Sequence, residues 1–199
     1  MTESLSPPAP PAFLRRLDSP LGRVELTANG DYITSLSIER DHTLPHDHLD
    51  ECGNRLIDRA ARQVSEYLIG SRRAFTLPVE LGGTPFQKAV WHKLQSVKCG
   101  QVTSYGAIAA AIGHAAAGRA VGAAVAANPI PLIVPCHRVL GAGRMVTGYS
   151  QGSGVATKLW LLEHERIHYK VSALTSAGED AATASEDVTA AGDELASAG

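Results

Sequence analysis

Between Asn128 and Arg138 the chain reads Asn-Pro-Ile-Pro-Leu-Ile-Val-Pro-Cys-His-Arg. Pro129, Pro131 and Pro135 lack backbone donors and have a fixed φ. No helix can pass through this stretch, and one arriving from the N-terminal side must stop at Asn128. The apolar residues between the prolines predict a short buried strand or extended segment that ends at Cys136, with His137 and Arg138 beside it. A buried cysteine often serves only as a small apolar side chain. Here a histidine and an arginine adjoin it, and both favour thiolate electrostatically. The prolines also restrain a backbone that simple packing would leave unrestrained. Cys136 is therefore read as a nucleophile. Successive side chains of an extended segment point to opposite sides, so His137 reaches the sulfur only through a turn or a bridging water.

A chain of 199 residues accommodates one domain or two small ones around a sizeable core. With 44% hydrophobic residues and no apolar run of the roughly eighteen residues a membrane span needs, a soluble globular protein is expected. Met1 to Pro11 lack a basic start followed by an apolar stretch and are not read as a secretory signal. Cys52, Cys99 and Cys136, at unrelated spacings, form no disulfide framework and are expected to be thiols in a reducing cytoplasm.

Charge is distributed unevenly. Residues 1–83 carry nine Lys/Arg against twelve Asp/Glu, residues 84–170 nine against two, and residues 171–199 none against six. A basic middle segment in an otherwise acidic chain suggests an anionic partner, nucleic acid first, with a solvated basic face as the alternative.

Residues 1–12 are rich in Pro, Ser and Ala, and residues 171–199 in Ala, Ser, Gly, Asp and Glu. Neither can bury enough surface to offset its ordering entropy, so both are expected to be disordered tails. Residues 13–80 predict an α/β domain. Val24-Glu25-Leu26-Thr27 and Tyr32 to Ile38 alternate around an Asn29-Gly30-Asp31 turn, as in an antiparallel hairpin or meander. Leu56, Ala60, Val64, Tyr67 and Leu68 mark one face of a helix that ends at Gly70. His42, His46, His48, Asp41, Asp47 and Cys52 lie in a polar loop between them, but their spacing matches no tetrahedral metal signature and a solvated loop is favoured.

Gly82-Gly83 introduces residues 84–170. Thr84 is an N-cap with Pro85 at the first helical position, and Phe86, Val90, Trp91 and Leu94 supply the buried stripe. A second helix opens at Thr103-Ser104-Tyr105, Gly113-His114 breaks it, and a third runs from about Ala115 to Ala127. This spacing suits a helix-turn-helix. On the third helix Val121 and Val125 share one side, and Arg119 lies opposite among Ala115, Gly122, Ala123 and Ala126. Two readings stand evenly. In one, a slim face approaches DNA with one long cation at its centre; in the other, small residues allow close helix packing beside a snorkelling arginine. Beyond Cys136, Gly141 to Gly143 and Thr147 to Gly154 make a Gly-rich loop without a Walker ending. A last helix, about Val155 to Arg166, carries Leu159, Leu161 and Leu162 and ends in Glu163-His164-Glu165, carboxylates suited to orienting a histidine.

Pro135-Cys136-His137-Arg138-Val139 resembles the active-site signature of the O6-alkylguanine-DNA alkyltransferases, the methylated-DNA–protein-cysteine methyltransferases. The resemblance extends through Thr84-Pro85-Phe86-Gln87, Val90-Trp91, Gly100 to Gly106, Arg119-Ala120-Val121-Gly122, Asn128-Pro129, Gly148-Tyr149-Ser150 and Leu161 to Glu165, covering residues 84–167. Over residues 13–80 it is architectural. It implies a ribonuclease-H-like N-terminal α/β domain, with a small antiparallel sheet plus helix, followed by a mostly α winged-helix/helix-turn-helix domain. It also implies irreversible transfer of an alkyl group from O6 of guanine, less efficiently from O4 of thymine, to Cys136.

By the same resemblance, His137 deprotonates the thiol through water and Glu165 holds the imidazole. Asn128 braces the active-site turn, while Tyr105 donates to the departing guanine and helps rotate the nucleotide out. Arg119 takes the place of the flipped base, with Ala120, Gly122, Ala123 and Ser104 also at the DNA surface. Val139, Tyr149 and Ser150 line the base pocket. An alkyl carbon buried in a stacked duplex requires such extrusion, and a planar guanidinium stacks well on bases. The implied partner is double-stranded DNA containing O6-alkylguanine, bound by a cytoplasmic monomer that uses no cofactor, metal or membrane.

Two features depart from the family pattern. The loop after Tyr149 is two residues longer than the common Gly-Tyr-Ser-Gly-Gly, and Cys99 stands where bacterial members often carry a larger residue. The competing readings are a non-catalytic binder of alkylated DNA and a winged-helix regulator, neither of which accounts for Cys136. A cysteine hydrolase comes last, for lack of a legible oxyanion hole.

Overall fold

The computed structural model describes residues 10–171. Most of each expected tail therefore lies outside the described residues. The N-terminal half is a three-stranded antiparallel sheet, β1 (Phe13–Leu17), β2 (Val24–Ala28) and β3 (Ile33–Ile38), in the order β1-β2-β3, with α1 (Arg55–Leu68) against it. Asn54 caps α1 by accepting from the Leu56 and Ile57 amides, and Gly70 follows its end with φ +80°. Ile57, Ala60, Val64, Tyr67 and Leu68 form the buried stripe. Simple alternation would leave Glu25 and Thr27 in solvent, yet β2 is buried along its whole length. The loop after β3 covers its outer face. Glu25 accepts from Arg16 at 3.2 Å and pairs with His46 Nδ1 at 2.7 Å, so the buried carboxylate is satisfied.

The same loop contains the His/Asp cluster. Asp47 is held by Arg23 at 2.7 Å, and His46 by Glu25. No group of three or more potential metal ligands occurs among the described residues.

The second half comprises α2 (Pro85–Gln95), β4 (Thr103–Ser104), α3 (Tyr105–Ala111), α4 (Gly118–Ala126), β5 (Val139–Leu140) and α5 (Val155–His164). Helix α2 begins with a capping box: the Thr84 side chain accepts from the Gln87 amide, and the Gln87 side chain accepts from the Thr84 amide. Thr84→Ala is expected to lower stability by about 1 kcal/mol in denaturant unfolding. Trp91 Nε1 donates to Ala124 O at 2.8 Å and ties α2 to α4. Helices α3 and α4 form the expected helix-turn-helix, with the parallel β4–β5 pair beside it.

The third helix starts later than its composition suggested. Ala115 and Ala116 lie in the turn after Gly113, whose φ is +80°, and α4 has no side-chain cap. Ala117 N bonds His114 O at 2.8 Å and closes a separate turn over residues 114–117, so the helix begins at Gly118. The last helix likewise ends at His164, leaving Glu165 just beyond it.

One apolar cluster runs through both halves, from Val24, Leu26 and Ile33 through Tyr67 and Trp91 to Val121, Val134 and Cys136. The main chain joins them too, since Leu36 N of β3 donates to Pro129 O at 3.0 Å. The cysteine segment thus rests directly on the N-terminal sheet. Among the described residues, no helix is long and apolar enough to cross a membrane.

Candidate active site

The segment that carries Cys136 is not extended. Ile130 through Val134 is a succession of tight turns, with Leu132 in the left-handed region at φ +68°. Val134 N bonds Ile130 O, Ile133 N bonds Pro131 O and Cys136 N bonds Val134 O, at 2.8–2.9 Å. The prolines leave too few donors for a ladder with a neighbouring strand, so the buried carbonyls are satisfied locally. Asn128 completes the set: its Nδ2 donates to Val134 O at 2.7 Å and its Oδ1 accepts from Ile130 N at 3.1 Å. Every residue from Ile130 to Leu140 is buried.

Cys136–Arg138 then forms one 3-10 turn. At three residues per turn, neighbouring side chains diverge by about 120° rather than pointing to opposite faces. His137 lies fully buried, and its Nε2 is 3.0 Å from Glu165 Oε1. Arg138 reaches the same carboxylate, with Nε 2.9 Å from Oε2 and Nη2 2.6 Å from Oε1, and also donates to Val97 O. Gly100 N donates to Oε2 at 3.1 Å, and Tyr67 OH donates to Oε1 at 2.7 Å.

Burial alone would raise the Glu165 pKa. The hydrogen bonds from His137 and Arg138 and the positive charge of Arg138 outweigh it and hold the carboxyl well below its usual range. Burial pushes the His137 imidazole down, so it is neutral. An ionised carboxylate only accepts, so the imidazole proton sits on Nε2 and Nδ1 is left as a free base. Nδ1 is buried and has no hydrogen-bond partner in the protein.

The cysteine environment corrects one electrostatic expectation. Arg138 spends its charge on Glu165 and does not lower the thiol pKa. Burial raises the Cys136 pKa, while contacts to Asn128 and Tyr149 and the charge of Lys158 pull it only partly back. The sulfur lies 3.6 Å from Tyr149 OH. It is a resting thiol that needs a base to become a nucleophile.

Cys136 forms part of the wall of a cavity of about 310 Å³ together with Tyr105, Gly122, Val125, Ala126, Thr147, Gly148, Tyr149, Ser150 and Lys158. That volume suits a small ligand. Tyr105 OH and Thr147 Oγ1 meet at 3.1 Å, and Ser150 Oγ donates to Ala126 O at 2.8 Å. Of the residues expected at the reaction site, Tyr105, Cys136, Tyr149 and Ser150 line the cavity, as does Gly122, which was expected at the DNA surface. Val139 does not: it is buried in β5, paired with Thr103. Arg119, Ala120 and Ala123 are exposed on α4, whereas Val121, Ala124 and Val125 face the core. Ser104 is half-buried, and its hydroxyl caps α3 by accepting from Ala107 N.

Three contributors were not read from the sequence. Lys158 is buried, and its Nζ donates to Val139 O at 2.7 Å and Gly148 O at 3.1 Å, joining the cysteine segment to the Gly-rich loop. Burial lowers its pKa to about 8. Its signal was a cation at helical spacing from Leu161 and Leu162 on a buried stripe. Arg138 was legible as a charge but not as the partner of Glu165. Tyr67 read only as core. The longer loop after Tyr149 packs inward: Gln151 Nε2 donates to Asn128 O, and Gly152, at φ +51°, lies close against Thr157 and Ile38.

Comparison with known proteins agrees over both halves. Residues 85–167 match the family model described as 6-O-methylguanine DNA methyltransferase, DNA binding domain, and residues 14–81 match its ribonuclease-like domain. The constitutive methylated-DNA–protein-cysteine methyltransferase of Bacillus subtilis is 40% identical over 159 residues, 77% of this chain and 94% of that protein. Its counterpart in Salmonella typhimurium is 49% identical over 104 residues, 52% of this chain and 60% of that protein. The crystal structure of Mycobacterium tuberculosis O6-methylguanine methyltransferase superposes with a TM-score of 0.69 at 38% identity, covering 77% of this chain and 92% of that one. A complex of the Mycobacterium tuberculosis protein with DNA superposes at 0.68 over the same shares. With both family models matched in order around a buried Cys136–His137–Glu165 arrangement, this chain belongs to the family of methylated-DNA–protein-cysteine methyltransferases.

Proposed function

We propose that this protein repairs alkylated DNA by taking the alkyl group from O6 of guanine, and less efficiently from O4 of thymine, onto its own Cys136. The observation that carries this reading is a thiol in the wall of a cavity, next in sequence to a neutral histidine whose partnerless Nδ1 is a ready base. A water passes the thiol proton to Nδ1, and Glu165 stabilises the imidazolium that results. Sulfur then attacks the alkyl carbon: the S–C bond forms, the C–O6 bond breaks, and the electron pair leaves on the guanine oxygen. Tyr105 OH supplies a donor to the departing base. The product thioether is cleaved by no group in the site, so each molecule acts once.

The base must leave the duplex to enter such a cavity. The exposed Gly/Ala face of α4 lies against the minor groove, and Arg119 fills the gap in the stack. Ala120, Gly122 and Ala123 allow close approach, and Ser104 and Tyr105 sit at the same edge. The partner is double-stranded DNA, bound by a single copy of the chain.

Incubation with an oligonucleotide containing O6-methylguanine, followed by peptide mass spectrometry, tests the reading. One methyl group is expected on the peptide containing Cys136, saturating at one per protein, and none in Cys136→Ala. Tight binding to the lesion without any mass change would overturn transfer in favour of simple recognition.

A further inference from the structure

We propose that Tyr67, contributed by the N-terminal half, is a positioning residue of the alkyl-transfer relay, its hydroxyl orienting the carboxylate that holds His137. The proposal rests on the transfer reading above and deepens it. Tyr67 lies at the end of α1, 98 positions before Glu165, and donates to Glu165 Oε1 at 2.7 Å. That oxygen is also the one His137 uses. The hydroxyl and the imidazole therefore draw on the same lone pairs, and the strength of one bond sets the strength of the other.

The surroundings leave Tyr67 little freedom. Its ring is 1% exposed and packs on Phe75 and edge-on to His164, with centroids 5.3 and 5.2 Å away. Its backbone oxygen accepts from His164 Nε2 at 2.7 Å, and Trp160 stacks on the His164 ring with centroids 4.8 Å apart. The end of α1 thus grips two successive residues, His164 by the main chain and Glu165 by the side chain. Packing alone would be met by phenylalanine, because a buried hydroxyl costs stability unless it is bonded. The N-terminal half contributes no residue to the wall of the 310 Å³ cavity, and this bond is its direct side-chain contact with the carboxylate that holds His137.

The other charged and titratable groups around the pair are fixed. Arg138 occupies both carboxylate oxygens, Gly100 N takes Oε2, and the half-buried Cys99 thiol lies beside Glu165. On the sulfur side, Lys158 and Tyr149 face Cys136. Removing the Tyr67 hydroxyl leaves Glu165 Oε1 with more charge to offer His137, which holds its proton more tightly. The base then needs a higher pH to be neutral.

Single-turnover transfer from an O6-methylguanine duplex, measured against pH, tests this in the full-length protein. In Tyr67→Phe the acid limb should move up by on the order of one pH unit, with a roughly tenfold slower rate below neutrality and one methyl per protein retained. With 3-fluorotyrosine at position 67, a stronger donor of nearly the same shape, the limb should move the other way. Phe75→Leu, which loosens the ring and keeps the hydroxyl, should leave the limb in place. Superimposable profiles for wild type and the fluorotyrosine protein, or equal shifts in Tyr67→Phe and Phe75→Leu, would overturn the proposal. Absence of methyl transfer in the wild type would instead overturn the transfer reading itself.

Discussion

Replacing Glu165 with glutamine is expected to cost the fold about 3–5 kcal/mol, the range for removing one partner of a buried ion pair. The Arg138 guanidinium is 5% exposed and would be left without a counter-charge. The Glu165 carboxylate also accepts from His137, Tyr67 and Gly100, so glutamine would disturb contacts to four residues at once. Urea unfolding at neutral pH measures the loss. The double variant Glu165→Gln, Arg138→Met removes the stranded charge and should recover part of it. A single variant as stable as the wild type would mean that the buried pair contributes nothing.

The same carboxylate sets the acid response. Its folded pKa is depressed below the unfolded value of about 4.3, so its stabilisation is fully present above that value and is lost as pH falls toward the folded pKa. The stability gap between wild type and Glu165→Gln should therefore be constant at neutral pH and shrink below about pH 4. His137 adds a second, earlier loss. It is neutral in the fold, whereas the unfolded chain takes up its proton near 6.5, so stability falls as pH drops below that value.

Arg119→Ala is expected to slow transfer from duplex DNA by about 5- to 150-fold, the equivalent of one lost base-stacking interaction of roughly 1–3 kcal/mol. Reaction with free O6-methylguanine should be unchanged. Arg119 is exposed on α4 and makes no hydrogen bond or ion pair among the described residues, so the substitution should leave stability within about 0.5 kcal/mol. A wedge acts only when there is a stack to hold open, which is why the two substrates must separate. Equal slowing of both would place Arg119 in the chemical step and contradict the wedge.

Much of the architecture is legible in the sequence. Short-range physics governs the α2 start, where Thr84, Pro85 and Gln87 cap a helix within one turn, and the α1 stripe, where periodicity alone marks the buried face. Cys136 reads as a candidate nucleophile because a cysteine, histidine and arginine stand together in a proline-restrained frame. The conformation of that frame was not legible. Buried apolar residues between prolines suit either a strand or a set of turns, and the choice fell to where the carbonyls found donors, namely Asn128 and the segment's own amides.

Charge was the least legible property. Adjacent Arg138 suggested an activated thiolate, yet its guanidinium turns to a carboxylate 27 positions away and leaves a buried, protonated sulfur. Tyr67 reads as part of a packed stripe and Lys158 prompts no reading of its own, yet Lys158 joins the cysteine segment to the cavity loop and Tyr67 donates to the Glu165 carboxylate.

The sequence by itself determined most of the elements and the slim face of α4 and marked Cys136 as the candidate nucleophile, because these depend on local geometry and side-chain chemistry. Only the tertiary structure decided how His137, Glu165, Arg138 and Tyr67 are bonded together. Burial and partnership set the protonation of Cys136, His137 and Glu165, and those depend on residues brought together from Tyr67 to Glu165 by a core shared between the two halves.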